Sequence, residues 1–160
     1  MNIKKGLWTI TESKKIYENP WISVKEDKVI RPDGKDGIFG VVEMKPGVSV
    51  LPLDNEGNVY LTKEYHYAVE RETIEVISGG IDKDEDKEDA AKRELQEETG
   101  IVATELVDLG VVDPFTSVVV SPNYLYLAKG LAFSEANPER NREHYCNKSF
   151  NERSDSIGYE

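Results

Sequence analysis

Apolar and polar residues alternate, in part, along the first half of the chain. "LWTITESKKIY" (7–17) and "WISVKEDKVI" (21–30) are rich in β-branched and aromatic residues, and predict strands. Asn19-Pro20 separates them as a turn. "RPDGKDG" (31–37) is a stronger turn signal, with Pro followed by Asp-Gly. "IFGVVEM", "VSVLPL" and "VYLTKEYHY" continue the meander, the last two separated by the turn "DNEGN". One further strand, "ETIEVI" (72–77), ends at Ser78-Gly79-Gly80.

The period then changes. Residues 87–98, "KEDAAKRELQEE", hold no Gly, Pro or β-branched residue, and predict a helix. Acids crowd its start, where the helix dipole favours them. Gly100 stands where a left-handed cap residue is wanted. Ala91 and Leu95, four apart, supply a narrow apolar face. "ATELVDLGVVDPF" and "NYLYLAKGLAF" predict strands on either side of a loop at 114–123. Beyond Ser134 the chain is polar with no usable apolar period, and residues 136–160 read as an atypical, frayed or disordered tail. The expected architecture is α+β, a mixed β-sheet system with an N-terminal antiparallel meander (1–45), a core over 46–135 and one central loop–helix element.

Charge narrows the functional classes. The 160 residues carry a formal net charge of −11, which disfavours a nucleic-acid partner. A phosphate-bearing substrate stays compatible if cations mediate the contact. A single cysteine, Cys146, excludes an internal disulfide and fits a reducing, cytoplasmic setting. No apolar run is long enough to span a membrane and none follows Lys4 and Lys5 as a signal peptide would require, so no membrane partner is expected.

The helix poses a physical problem. Glu94, Glu97 and Glu98 fall at i, i+3 and i+4 and so share a face. Repulsion between Glu94 and Glu98 costs roughly 0.2–0.5 kcal/mol. Arg93 can relieve Glu97 at i+4, but that pairing leaves Glu94 and Glu98 unserved. A hard divalent cation such as Mg²⁺, which takes carboxylate and phosphate oxygens, would serve them. The bland alternative is a merely solvated acidic face.

The surrounding residues favour the first reading. Gly79, Glu85, Arg93, Glu94, Leu95, Glu97, Glu98, Gly100 and Ile101 spell G-x5-E-x7-R-E-U-x-E-E-x-G-U, where U is apolar. This segment resembles the Nudix box, with no departure at the fixed positions. "YHYAVERETIEVISGGIDKDE" and "NPWISVKEDKVIRPDGKDG" resemble the ADP-ribose pyrophosphatase branch of Nudix hydrolases, and the likeness spans about residues 8–135.

The resemblance implies a Nudix fold, an α/β/α sandwich. It implies that Glu94, Glu97 and Glu98 ligate Mg²⁺ or Mn²⁺, with Ser78 adding a backbone carbonyl. Arg93 would pair with Glu85 or Glu97 and hold the loop against the helix. Gly79 and Gly80 would admit a close backbone approach. The implied reaction is metal-assisted hydrolysis of a nucleoside diphosphate linked to another group, ADP-ribose above all, without a covalent intermediate. For the general base, a box glutamate, Glu139 or Glu143 is open. Relatives in the branch are commonly homodimers with N-terminal strands at the interface.

Other positions have two readings each. Glu75 is a candidate metal-shell or substrate contact, or an outward strand residue; Arg71 is a candidate substrate contact, or a surface arginine. Phe115 could stack on a base or pack on its own domain. Trp8 and Trp21 could stack on adenine, although core or interface packing is commoner. His66 stands where the branch commonly has arginine, which replaces a permanent cation with a titratable ring. The loop 113–122 lacks the branch's usual Pro-Gly and following glutamate. His144 and Cys146 alone do not make a zinc site. After Pro138 the chain offers neither the strand nor the apolar helix with which the branch continues, and one reading is a shifted reading frame, which sequencing the gene settles. The rivals to ADP-ribose hydrolysis are another nucleotide sugar or dinucleotide, a non-catalytic Nudix-fold nucleotide sensor, and a structural domain.

Overall fold

A computed structural model describes residues 2–134; the expected tail over 136–160, with Glu139, Glu143, His144 and Cys146, lies outside the described residues. Residues fall into two compact units. One comprises Met1–Gly47 and Val111–Asn123, the other Val48–Gly110 and the described residues from Tyr124 onward.

The first unit is a five-stranded sheet in the order β1-β2-β3-β4-β10: β1 (Ile3–Lys5), β2 (Trp8–Glu18), β3 (Ile22–Ile30), β4 (Asp36–Met44) and β10 (Val119–Val120). The expected meander is present as β2–β4. Its turns form for the reasons read from sequence. Asn19 Oδ1 accepts from the backbone N–H groups of Trp21 and Ile22, both at 2.8 Å, and so mimics a backbone turn. Gly34 takes φ 81° in the Pro-Asp-Gly turn, and its N–H donates to the Arg31 carbonyl at 2.9 Å. β3 and β4 then pair antiparallel without a slip from Ile22↔Met44 to Ile30↔Asp36. Two elements go beyond the sequence pattern. β1 pairs antiparallel with β2. Inside the expected loop 114–123, β10 pairs parallel with β4, and this makes the sheet mixed.

The second unit holds a four-stranded sheet in the order β8-β5-β11-β9, formed by β5 (Gly47–Pro52), β8 (Ile77–Gly80), β9 (Ile101–Val112) and β11 (Asn123–Phe133). A two-stranded hairpin, β6 (Thr62–His66) and β7 (Arg71–Glu75), accompanies it. The run "ETIEVI", expected as one strand, is two. The chain leaves β6 after Glu75 and joins β5 from Ile77, and Val76 marks the change of partner. The core collects Val48 and Val50 of β5, Ile77, Ile101, Tyr126 and Ala128 with Ala90, Ala91 and Leu95 of the helix.

The helix α1 (Lys87–Thr99) is the one helix among the described residues and lies within a residue of its expected span. Asp86 caps it, its side chain accepting from the Glu88 N–H at 2.8 Å. Gly100 ends it at φ 69°, donating to the Gln96 carbonyl. The expected apolar face is buried at Ala91 and Leu95, joined by Ala90 and, unexpectedly for a charged side chain, Glu98. Lys87 anchors the first turn: it pairs with Asp108 of β9 at 3.0 Å and lies 4.9 Å from the ring centroid of Tyr124 on β11. The elements are those of an α+β fold, mixed sheets with one helix whose buried face packs within the second unit, as expected. No described helix is long and apolar enough to cross a membrane.

Candidate active site

The short path from β8 to α1 gathers the acidic motif. Its centre is Arg93, which has five N–H donors, and all five find acceptors. Nε donates to Glu85 Oε1 at 2.8 Å and Nη2 to Glu85 Oε2 at 3.0 Å, a bidentate fork. Nη2 also donates to the Gly80 carbonyl at 3.1 Å. Nη1 donates to Glu94 Oε1 at 2.8 Å and to Glu97 Oε2 at 3.2 Å. The guanidinium thus ties strand end, loop and helix together. Arg93 was expected to choose between Glu85 and Glu97; it holds both, and Glu94 as well. The expectation that Arg93 leaves Glu94 unserved is therefore corrected. The paired Glu85 carboxylate first, then Glu94 and Glu97, push the Arg93 guanidinium above its ordinary pKa, against the opposing effect of burial.

Glu85 also holds the loop to itself. Its Oε2 accepts the Asp82 N–H at 2.8 Å, while its own N–H donates to the Asp82 carbonyl at 3.1 Å. Asp84, between them, adopts φ 65°. The residue between the fixed Gly79 and Arg93 of the motif is thus a loop clamp that faces the helix.

The three helix carboxylates differ in exposure. Glu98 is 6% exposed, whereas the side chains of Glu94 and Glu97 are 13% and 39% exposed. Gly79 makes the space for Glu94. A Cβ at Gly79 would fall 1.9 Å from Glu94 Cδ and 2.0 Å from its Oε1. Ser78, one residue earlier on β8, is half-buried. Among the described residues no three His, Cys, Asp or Glu side chains gather closely enough to hold a metal ion. The donor chemistry still suits a hard cation, because Glu94, Glu97, Glu98 and the Ser78 carbonyl all offer oxygen. Arg93 engages Oε1 of Glu94 and Oε2 of Glu97.

The hairpin carries the other candidates. Glu75 accepts from Thr73 Oγ1 and pairs with His66 Nε2, so it is no simple outward residue. His66, Arg71, Thr73 and Glu75 lie at alternating positions on one face of the hairpin, with His66 directly opposite Arg71. Arg71 is exposed. The tie of Glu75 to His66 escaped the sequence reading; its signal was that positions 66 and 75 fall on the same face once β6 and β7 pair as a hairpin. Phe115, in the other unit, is 77% exposed and left-handed at φ 56°, its carbonyl accepting from Val118 and Val119. It does not pack on its own domain. Trp8 does: its ring meets Phe39 edge to face at 5.6 Å. Trp21 is exposed. Glu139 lies outside the described residues.

Comparison with known proteins adds the following. A profile described as the nucleoside diphosphate sugar hydrolase N-terminal domain matches residues 8–42, and one described as the NUDIX domain matches residues 43–146. An ADP-ribose pyrophosphatase from Bacillus subtilis is 28% identical over 138 residues, 82% of this chain and 71% of that protein. A methanol dehydrogenase activator from Bacillus methanolicus is 27% identical over 127 residues, 78% of this chain and 67% of that protein. An ADP-ribose pyrophosphatase from Mycobacterium tuberculosis is 30% identical over 123 residues, covering 74% of this chain and 58% of its own length. The crystal structure of an ADP compounds hydrolase superposes with a TM-score of 0.77 at 23% identity, covering 88% of this chain and 77% of that one. At that identity the likeness speaks to the fold.

Proposed function

The chain belongs to the NUDIX family of hydrolases, and we propose that it uses a divalent cation, Mg²⁺ or Mn²⁺, to hydrolyse ADP-ribose. Water adds across the diphosphate P–O–P link, and the products are AMP and ribose 5-phosphate. The observation that carries the reading is the fivefold use of Arg93, which holds Glu94 and Glu97 beside the β8–α1 loop. A solvated acidic face would need no such tie. The ADP-ribose pyrophosphatases among the similar proteins support the choice of substrate.

In this reading Glu94, Glu97, Glu98 and the Ser78 carbonyl hold the metal. Bound there, the cation supplies charge neutralisation for the diphosphate and a more acidic water. The chain's own residues do the rest. Arg93 keeps a positive charge against Glu94 and Glu97 and limits their rotation. Glu85 fixes the loop through Arg93. Gly79 and Gly80 keep side chains out of the approach to the carboxylates. Arg71 and Glu75 contact the substrate from the hairpin, Glu75 being oriented by His66 and Thr73. Phe115 offers an exposed ring for a base. Glu139 is the proposed proton acceptor. In the same reading the protein works as a homodimer in the cytoplasm, in keeping with its single cysteine.

A second reading, hydrolysis of another nucleoside diphosphate sugar, is favoured by the profile matched at residues 8–42. A panel of ADP-ribose, nucleotide sugars and dinucleotides decides between them, assayed with Mg²⁺, Mn²⁺ and chelator. ADP-ribose should give the highest kcat/KM, and Glu97→Gln should abolish turnover. Saturable binding of ADP-ribose without turnover in any divalent ion would instead mark a sensor.

A further inference from the structure

The first unit contains a cavity that the hydrolytic reading does not use. It has a volume of about 410 Å³, at the small end of ligand pockets. Its walls include Trp8, Val29, Phe39 and Val41, with Asp27 and Lys5 as the charged members. Sheet register explains the lining: Asp27 of β3 lies directly across from Phe39 of β4, and Phe39 packs edge to face on Trp8 of β2.

Asp27 is the unusual member. It is 3% exposed, and its Oδ1 has no hydrogen-bond partner among the described residues. A buried polar atom without a partner costs more than a hydrogen bond gains, and native folds rarely leave one. Lys5 lines the same cavity yet does not serve that oxygen. An anionic ligand would meet the Asp27 carboxyl, and a neutral hydrocarbon would leave it unserved. The missing partner is a hydrogen-bond donor, a cationic N–H being the strongest match to a carboxylate, and the rest of the lining suits a flat apolar body.

We propose that this cavity binds a small organic cation, an amidinium or ammonium carried on a ring, that donates to Asp27 and packs against Trp8 and Phe39. Charge-assisted hydrogen bonding to Asp27 and the faces of the two rings supply the selectivity. Lys5 opposes the cation's charge and tempers its affinity.

Isothermal titration of the full chain with benzamidine tests the assignment, with benzyl alcohol as the uncharged control. Benzamidine should bind saturably, and benzyl alcohol about tenfold more weakly or worse. Asp27→Asn should reduce benzamidine affinity by about tenfold or more and leave ADP-ribose hydrolysis unchanged. Lys5→Ala, at an exposed position that keeps the fold, should tighten benzamidine binding. The assignment is overturned by no saturation, by equal affinity in Asp27→Asn, or by affinity in Lys5→Ala that is unchanged or weaker. It is also overturned if affinity falls as protein concentration rises, since a second copy of the chain would then be covering Asp27. None of these readouts involves turnover, so failure here leaves the hydrolytic reading standing.

Discussion

The carboxylate of Glu94 occupies the space that a side chain on Gly79 would need. A methyl group there would lie 1.9 Å from Cδ, 2.0 Å from Oε1 and 2.3 Å from Oε2 of Glu94. The obstacle is the far end of a flexible side chain, not backbone. Glu94 can therefore swing aside, but only by leaving its position near β8.

Gly79→Ala should accordingly cost little stability and much activity. We expect the melting temperature to fall by a few degrees at most and kcat to fall by about a hundredfold, the usual penalty for a group displaced by about an ångström. Thermal unfolding and steady-state kinetics on the same preparation check this. An active Gly79→Ala enzyme would remove Glu94 from the site.

Arg93→Lys tests the tie itself. Lysine keeps the charge but offers three donors from one point, and cannot reproduce five bonds directed to Glu85, Glu94, Glu97 and the Gly80 carbonyl. A loss of roughly 1–2 kcal/mol in stability is expected, read by denaturant unfolding. The pH dependence has a definite sign. A cation whose pKa is raised by folding contributes stability fully below its unfolded value, and loses it only as pH rises through the folded one. The Arg93 guanidinium is raised above an already high value. Its contribution should therefore be flat through the whole alkaline range in which the fold can be studied. The difference in unfolding free energy between native and Arg93→Lys proteins should stay level from neutral pH upward and widen once the lysine itself deprotonates, because the arginine keeps its charge there.

Divalent cation should stabilise the fold without substrate. A ligand that binds only the folded state at a hundred times its Kd adds about 2.7 kcal/mol. Mg²⁺ should raise the melting temperature of the native protein, and chelator should reverse the rise. Glu98→Gln should abolish the Mg²⁺ response. Equal shifts in both proteins would place the cation elsewhere.

The helix and its motif were legible from residues 79–101 because their determinants are local. Asp86 and Gly100 cap the ends, the apolar positions at 91 and 95 set the buried face, and the composition favours helix. The turns at 19–20 and 31–37 are equally local, since Asn19 and Gly34 carry their own conformational reasons. Spacing also placed Glu97 within reach of Arg93, whereas the bond from Arg93 to Glu94 was not foreseen.

Tertiary structure alone decided the rest. Nothing in "ETIEVI" tells that the chain changes sheets at Val76, because strand pairing depends on which partner edge is open, not on propensity. Two valines in an irregular loop became β10 only because β4 offered an edge beside them. The allotment of all five Arg93 donors, the shelter of Glu94 over Gly79 and the unserved oxygen of Asp27 join residues from separate elements. Hydrogen-bond partners and excluded volume are properties of groups brought together in space, so sequence spacing could name the participants but not assign their contacts.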